Sequence, residues 1–467
     1  MRLSLTVASL LLLLISPGCS EEHPAAGGRS LRYADPTNVL LFVAPDIGTT
    51  LGSYYVKGVQ TPRIDKLSRG GTVFLNAYAS SAVQGASRAS LLSGRMPANL
   101  AGEDTPTWGD HFADIGYRTG LIGELGIEGG ESMPFDYRSV INDTNVRDET
   151  WHTRELDEFL GQDDGRPWAL VVCLQDSRWP FPTDEAPFGH MDLPPHEPEA
   201  VSVPPKLVDT PGVRREIKRY YDGIRRMDAM LGAVVDRLAA RGHRPNTVCL
   251  FTSDNGSPFP FARATLYEAG VRVPLIAWGK QVEIGVIRNT LLTHVDILPT
   301  LLSVAREADE LPPMPESLEE SFDGMSFDFH LSEMRILIEE GRTANPARTE
   351  VFTTLDSNEV LPTVPSRAVL FGDWKYIRNY SDGKRFESLS MQRTASYRAI
   401  VSAAELGDTK VERRMETLEQ RPEEELFNLK DDPNELLNLA GDPLYSAQLN
   451  EAREKLKNSR LLSLPVH

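Results

Sequence analysis

The sequence is short of positive charge. Its 467 residues include 49 Lys and Arg against 67 Asp and Glu, which gives a formal net charge of −18. Because nucleic-acid binding generally needs a basic face for the phosphate backbone, this imbalance argues against that function. It does not argue against a small anionic ligand, since a single pocket can be basic on an acidic protein.

Cysteine is also scarce, with three in the whole chain. Cys173 and Cys249 lie in the apolar, strand-like segments VVCLQ and TVCLF. That setting predicts two buried free thiols. A disulfide between them is the alternative for an exported protein, and the distance between their Cα atoms decides it.

The N-terminal apolar run, from Leu3 to Ile15, is too short to span a membrane comfortably. Small residues and Cys19 end it, so residues 1–19 are typical of an export signal. Cys19, followed by polar residues, resembles a bacterial lipoprotein site, where the cysteine is lipidated after cleavage. We therefore expect an exported protein, in the periplasm or at the cell surface, whose membrane contact is this lipid anchor alone. Plain secretion is the alternative, because Ser16 stands where such sites prefer Leu.

Internal repeats are absent, and composition divides the rest of the chain into three parts. Residues 20–37 are polar and rich in Gly, Ala and Pro, as in a tether. In residues 38–345, apolar runs of strand length alternate with helical patterns, which predicts an α/β domain with a mostly parallel sheet sandwiched by helices. Residues 346–467 combine strand-like pieces with a final helical pattern, which predicts a smaller C-terminal α+β domain. The candidate strands of the main sheet are residues 38–44, 118–123, 168–175, 247–253 and 274–278.

Polar residues follow several of these candidate strands. Asp46 follows the first, Glu124 the second, Asp176 the third, and Asp254 with Asn255 the fourth. Since ligands gather at the carboxyl ends of parallel strands, we expect these side chains at one edge of the sheet. Carboxylate and amide oxygens suit a hard cation such as Ca²⁺ or Mg²⁺. The same residue types also favour turns after strands, which is the alternative role for each of them.

Several longer motifs, in their order along the chain, resemble one family. They are NVLLFVAPDIG, TPRIDKLSRGGTVFLNAY, SSAVQGASRASLLSGRMP, GYRTGLIGELG, TSDNG, LYEAGVRVPLI, HVDILPTLL and ELFNLKDDPNELLNLAGDP. Together they resemble the type I sulfatases of the alkaline-phosphatase superfamily, over about residues 38–460. The resemblance implies the alkaline-phosphatase-like α/β fold, Ca²⁺ as the metal, and hydrolysis of sulfuric esters, often on sulfated glycans.

The family's nucleophile is a formylglycine, made from the first residue of a Cys/Ser-x-Pro-Ser-Arg signature. In this sequence that position is Gln84 and the signature Pro is Ala86, whereas Ser87 and Arg88 match. A carboxamide cannot be converted to the aldehyde by that route and is a poor nucleophile. Formylglycine is therefore not expected here.

The family's metal ligands are matched only in part. Asp46, Asp254 and Asn255 match, but the first of the paired Asp residues is Pro45, whose side chain has no ligand atom. Three protein oxygens are few for Ca²⁺, which takes about six to eight in all. We expect Ca²⁺ binding that is weak or absent.

The groups that contact sulfate in the family are changed as well. Glu124 stands at a Lys position and Gly126 at a His position, while Arg178 lies near a second His position and Arg263 at a second Lys position. At about 4 Å and an effective dielectric constant of about 20, a contact between unit charges is worth about 4 kcal/mol, so Glu124 works against sulfate binding. Arg178 and Arg263 can still hold an anion, and a surface or salt-bridge role is the alternative for both.

These departures predict a non-catalytic or strongly impaired sulfatase relative, which binds a sulfated glycan or another anionic ligand, assists another sulfatase or has a structural role. The alternative is an active hydrolase of sulfate or phosphate esters, with Thr49, Thr50 or Ser87 as nucleophile. A true sulfatase that works poorly without formylglycine is a third interpretation. The sequence identifies neither the ligand nor the oligomeric state.

Overall fold

The computed structural model describes residues 36–100, 105–141, 150–181, 193–308, 321–331, 348–356, 364–380, 386 and 389–459. The expected export signal with Cys19, the tether up to residue 35 and the domain boundary expected at residue 345 lie outside the described residues. The described residues belong to one compact unit. None of the helices among them is long and apolar enough to cross a membrane.

An eight-stranded, mostly parallel sheet forms the centre of the fold, as the sequence predicts. Its strands run in the order β4-β3-β5-β1-β6-β7-β2-β8, and β7 alone is antiparallel to its neighbours. The strands are β1 Asn38–Ala44, β2 Gly71–Tyr78, β3 Arg118–Ile122, β4 Tyr137–Ser139, β5 Trp168–Cys173, β6 Thr247–Ser253, β7 Arg272–Gly279 and β8 Val286–Thr293.

The central strands are apolar because both faces of the sheet are covered. Side chains alternate between the two faces along a strand. In β1, Leu40 and Phe42 join one hydrophobic cluster, while Leu41 and Val43 join another. Every one of these four side chains is buried. The continuous apolar sequence of β1 is thus the signature of a strand covered by a layer on each side.

Helices connect the strands and supply those covering layers. The long α5 begins at Pro211, where the Oγ1 of Thr210 accepts the N–H of Val213 at 3.2 Å. It ends just before Gly242, which has a left-handed φ of 82°. The helices are α1 Pro62–Arg69, α2 Gln84–Ser93, α3 Trp108–Asp114, α4 Trp151–Gly161, α5 Pro211–Ala240, α6 Glu268–Val271, α7 Ile297–Ala308, α8 Leu389–Gln392, α9 Ala395–Glu405, α10 Thr409–Glu419 and α11 Ser446–Asn458.

A smaller antiparallel sheet follows in the order β12-β11-β10-β9, so the expected C-terminal α+β part is confirmed. The pair α9 and α10 is inserted between β11 and β12. The Lys375 ammonium on β11 ties this sheet to the larger part, because it lies 3.0 Å from the carboxylate of Glu268 and 3.3 Å from that of Glu435. The strands are β9 Glu350–Leu355, β10 Ser366–Phe371, β11 Trp374–Asn379 and β12 Glu424–Asn428.

Cys173 and Cys249 are buried free thiols. Their strands lie on either side of β1, and the two side chains belong to the hydrophobic clusters of opposite sheet faces. They therefore cannot form a disulfide in this arrangement. Burial raises the pKa of Cys173 to about 11, which keeps its thiol protonated.

Candidate functional site

The polar residues that follow the strands meet at one edge of the large sheet. Asp46 comes after β1, Glu124 after β3, and Asp254 with Asn255 after β6. The start of α2 lies against them and brings in Gln84 and Arg88. One continuous network of hydrogen bonds and ion pairs links all eight expected site residues: Asp46, Gln84, Arg88, Glu124, Arg178, Asp254, Asn255 and Arg263.

Gln84 is the first residue of α2, and Arg178 fixes its side chain. The Nη2 of Arg178 donates a hydrogen bond to the Oε1 of Gln84. The Nε2 of Gln84 is buried and has no hydrogen-bond partner among the described residues. A Cβ built on Gly126 would lie 2.6 Å from that Nε2. The glycine at position 126 therefore makes room for the glutamine, so these two departures from the family pattern fit each other sterically.

Arg88 and Asp254 form a fully buried ion pair behind Gln84. The Nε of Arg88 lies 3.0 Å from the Oδ2 of Asp254, and its Nη1 donates to the backbone oxygens of Glu124 and Leu125 at 2.7 and 3.0 Å. Burial raises the pKa of Asp254 to about 6, and the opposing charge of Arg88 limits the rise. The guanidinium group of Arg88 therefore binds groups of the protein itself rather than a ligand.

Asp46 is held by its backbone as well as its side chain. It has a left-handed φ of 52°, which is uncommon for a residue other than glycine. Its N–H donates to the Oδ1 of Asp254 at 2.9 Å, and its own Oδ1 accepts from the Nδ2 of Asn255 at 2.9 Å. Its Oδ2 lies 3.7 Å from the Nη1 of Arg263. The turn after β1 therefore locks Asp46 onto the end of β6.

These contacts do not fit a tightly held divalent cation. Both carboxylate oxygens of Asp254 and one of Asp46 accept hydrogen bonds from the protein, and Arg263 supplies positive charge beside the other. The Oδ1 of Asn255 is buried without a hydrogen-bond partner in the described part of the chain, which leaves one amide oxygen free. No group of three or more His, Cys, Asp or Glu that could hold a metal occurs among the described residues. Ca²⁺ needs about six to eight oxygens, far more than this site offers.

Glu124 pairs with Arg178 at the mouth of the site. Its Oε2 lies 3.5 Å from the Nη1 of Arg178, and its side chain is 47% exposed. Because solvent screens such a pair, the contribution of this contact to stability is small. Three guanidinium groups and three carboxylates thus balance one another across the site, with Glu124 in the most exposed position.

The candidate hydroxyl groups occupy different environments. Ser87 is fully buried; its Oγ donates to the backbone oxygen of Asp254 at 2.5 Å and lies 2.9 Å from the Nδ1 of His294. Burial lowers the pKa of His294 to about 3, so its ring is neutral at pH 7. Thr49 and Thr50 are half-buried, and the Oγ1 of Thr50 lies 3.5 Å from the hydroxyl of Tyr220.

A small cavity of about 60 Å³ opens beside Asp46, Arg178 and Arg263. It has room for about two water molecules. The sequence did not predict the other residues that line this cavity, because they lie in loops and in the C-terminal part of the chain. The exposed Trp179, next to Arg178, is the one of them that a local signal could have indicated. These missed residues are Trp179, Pro258, Met391 and Thr394.

Comparisons with known proteins agree with this fold. A model of the family described as Sulfatase matches residues 37–307. An ulvan-active sulfatase of Formosa agariphila is 24% identical over 505 aligned residues, covering 97% of this chain and 80% of the relative. The N-sulphoglucosamine sulphohydrolase of Homo sapiens is 27% identical over 467 aligned residues, covering 91% of this chain and 89% of the relative.

Solved structures share the fold. The phosphonate monoester hydrolase of Agrobacterium radiobacter is similar with a TM-score of 0.64 at 16% identity, covering 90% of this chain and 95% of that one. At this identity the similarity concerns the fold alone.

Proposed function

The chain belongs to the sulfatase family, and from that premise we propose that it is a non-catalytic member that binds a sulfated glycan or a related anionic ligand. The proposal depends on one observation above all: the side chain at the nucleophile position is the carboxamide of Gln84, held by Arg178. A carboxamide has neither the hydrated aldehyde of formylglycine nor an ionisable hydroxyl with which to attack sulfur.

A substitute nucleophile is not available from Ser87. Its Oγ is fully buried between the backbone oxygen of Asp254 and the ring of His294. A nucleophile must approach the reacting atom to about 3–3.5 Å, and a substrate cannot come that close to a buried hydroxyl. Thr49 and Thr50 are less buried, but among the described residues no basic side chain forms a hydrogen bond with either hydroxyl.

The contacts of the site also argue against a role for Ca²⁺, the family's Lewis acid. When a divalent cation is bound in such a site, it polarises the ester oxygens. Here Asp46 and Asp254 are already neutralised by Arg263 and Arg88. Ca²⁺ binding, if it persists, is therefore weak, and we assign it no part in the function.

Anion binding fits the groups that remain. Arg178 and Arg263 line the small cavity together, and a guanidinium group can pair with two oxygens of a sulfate or carboxylate. The relatives named above act on ulvan and on N-sulphoglucosamine, according to their names. A sulfated sugar is accordingly the ligand class that we favour.

We further propose that the protein is exported and anchored by a lipid on Cys19. Radiolabelled palmitate should be incorporated into the unchanged protein and lost in Cys19→Ala. Incorporation that persists in the variant would contradict the lipoprotein assignment, and plain secretion would then replace it.

An ester-hydrolysis assay tests the non-catalytic proposal. Aryl sulfate, aryl phosphate and aryl phosphonate esters are each incubated with the purified protein and Ca²⁺, Mg²⁺, Mn²⁺ or Zn²⁺. We expect no turnover above that of Asp254→Ala, prepared in parallel to measure contaminating enzymes. Metal-dependent turnover that disappears in Asp254→Ala would overturn the proposal in favour of a hydrolase with a different nucleophile.

A further inference from the structure

A second and much larger cavity, of about 900 Å³, lies between the start of α5, the loop at Trp179 and the inserted helix α9. Its volume falls in the upper part of the range usual for ligand sites. We call it the arginine cleft, because four arginines line it: Arg215, Arg219, Arg393 and Arg398.

The arginines of the cleft come from both of its walls. Arg215 and Arg219 are one turn apart on α5 and so lie on the same face of that helix. Arg393 and Arg398 stand at the start of α9, on the opposite wall. Four positive charges around one cavity are notable in a chain whose formal net charge is −18.

The positive charge of the cleft is not neutralised by its own lining. Within the described part of the chain, none of the four arginines forms an ion pair with a carboxylate. Glu216 is the acidic residue of the lining, and its carboxylate is engaged elsewhere. Its Oε1 and Oε2 accept the N–H groups of Ala395 and Ser396, each at 2.9 Å, at the N-terminus of α9. The Nη1 of Arg398 donates to the backbone oxygen of Arg393 at 2.8 Å, so none of these contacts removes a positive charge. The lining therefore carries four guanidinium groups against one carboxylate, an excess of positive charge that an anionic ligand can neutralise.

The cleft adjoins the candidate site, because one residue lines both cavities. Trp179 follows Arg178 in the chain and lines both the small cavity and the arginine cleft. Trp179 is 41% exposed. An exposed aromatic face packs well on the apolar C–H face of a pyranose ring, while arginines pair with sulfate or carboxylate groups on the ring's edge.

We infer that the arginine cleft binds a polyanionic oligosaccharide, with sulfate or carboxylate groups on successive sugars, whose end enters the small cavity. The inference rests on the glycan binding proposed above and adds the site that holds the rest of the chain. Charge complementarity favours a polyanion, and the aromatic platform between the two cavities favours a sugar over a peptide or a nucleic acid.

Calorimetry on the full-length protein in detergent tests the inference, with a heparin-derived tetrasaccharide as the probe. The paired substitutions Arg215→Ala with Arg398→Ala, and Arg219→Ala with Arg393→Ala, each remove one arginine from each wall. Each pair should raise the Kd for the tetrasaccharide about tenfold, which is what losing two partly exposed charge contacts implies. The matched control is Arg241→Ala at the other end of α5, where Arg241 pairs with Asp157 outside the cleft; its Kd should stay within about twofold.

Several results would overturn the inference. Equal affinity in the paired variants and the control would refute the cleft, as would absence of tetrasaccharide binding by the unchanged protein. Duplex DNA that binds as tightly as the tetrasaccharide, through the same arginines, would refute the assignment to a glycan. Thermal unfolding midpoints equal to that of the unchanged protein exclude misfolding of the variants. If one of the two double variants does not fold, the other still tests the cleft.

Separate results can refute the assignment of the arginine cleft and the proposed function. Glucosamine 6-sulfate, a monosaccharide too short to fill both cavities, reports on the small cavity, and its binding should depend on Arg178 and Arg263 but not on the cleft arginines. Sulfate released from the tetrasaccharide would refute the non-catalytic proposal and leave the cleft intact. Tetrasaccharide binding that depends on Arg178 and Arg263 alone would refute the cleft and leave the proposed function intact.

Discussion

The fit between Gln84 and Gly126 can be tested by replacing Gly126 with Ala. The added Cβ would lie 2.6 Å from the Nε2 of Gln84, and the residue would have to keep a left-handed φ of 62°. The backbone strain costs about 1–2 kcal/mol. Displacing the Gln84 side chain breaks its hydrogen bond to Arg178, which costs about 1–2 kcal/mol more. We expect Gly126→Ala to lower the free energy of unfolding by about 2–4 kcal/mol in all.

A double-mutant cycle separates the two contributions. In a Gln84→Ala background the steric conflict is gone, so Gly126→Ala should cost only its strain, about 1–2 kcal/mol. Gly129→Ala is the matched control, because Gly129 has a similar φ of 71° and nothing lies within 4 Å of its added Cβ. It should cost about the same in both backgrounds.

Urea unfolding of the four proteins of each cycle measures these free energies. We expect a coupling free energy of about 1–2 kcal/mol between positions 84 and 126 and one near zero between positions 84 and 129. Strict additivity at positions 84 and 126 would refute the idea that the glycine accommodates the glutamine. The departures from the family pattern at positions 84 and 126 would then be independent.

Further predictions concern the buried pair, pH and metal. Arg88→Met leaves the carboxylate of Asp254 buried and unpaired and should cost about 3–5 kcal/mol of unfolding free energy, against little for the exposed control Arg241→Met; equal losses in urea unfolding would contradict this. Burial holds the pKa of His294 at about 3, below its unfolded value of about 6.5, so unfolding takes up a proton as pH falls below 6.5. This should cost the folded state about 3 kcal/mol by pH 4.5, and His294→Gln should lose less stability than the unchanged protein between pH 7 and pH 4.5; parallel losses would refute it. Ca²⁺ at about 10 mM should raise the thermal unfolding midpoint by less than about 1 °C, and a larger, dose-dependent rise that Asp254→Asn abolishes would restore a metal site.

The sheet could be predicted because its strands are apolar on both faces and end in chemically distinctive residues. β1, with Asp46 behind it, and β6, with Asp254 behind it, are of this kind. The reversed direction of β7 could not be predicted, since a buried apolar run has the same pattern in either direction. The outer strand β8 alternates between half-buried and exposed residues over much of its length, so its sequence lacks that apolar signal.

The site could be predicted in its residue types but not in its contacts. The order of the motifs along the chain showed that Gln84 and Gly126 differ from the family pattern. Their close approach could not be predicted, because it depends on the position of the Gln84 side chain and on the left-handed backbone of Gly126. The orientation of Glu124 toward Arg178 is likewise a side-chain property.

The arginine cleft lay beyond sequence reasoning for a different reason. Arg215 and Arg398 are far apart in the chain and in segments assigned to different parts of the fold. They share a cavity because α9, inserted between two strands of the small sheet, packs on α5. The local sequence around either arginine does not show that α9 packs on α5.

The release of inorganic sulfate from a sulfated oligosaccharide decides whether the site around Gln84 is catalytic. The full-length protein and Asp254→Ala are incubated with the heparin-derived tetrasaccharide, at protein concentrations near those of the sugar, and free sulfate is measured by ion chromatography. We expect the unchanged protein to bind the tetrasaccharide and both samples to contain equal, background-level sulfate. Sulfate released by the unchanged protein and absent with Asp254→Ala would show that the site around Gln84 still hydrolyses sulfuric esters.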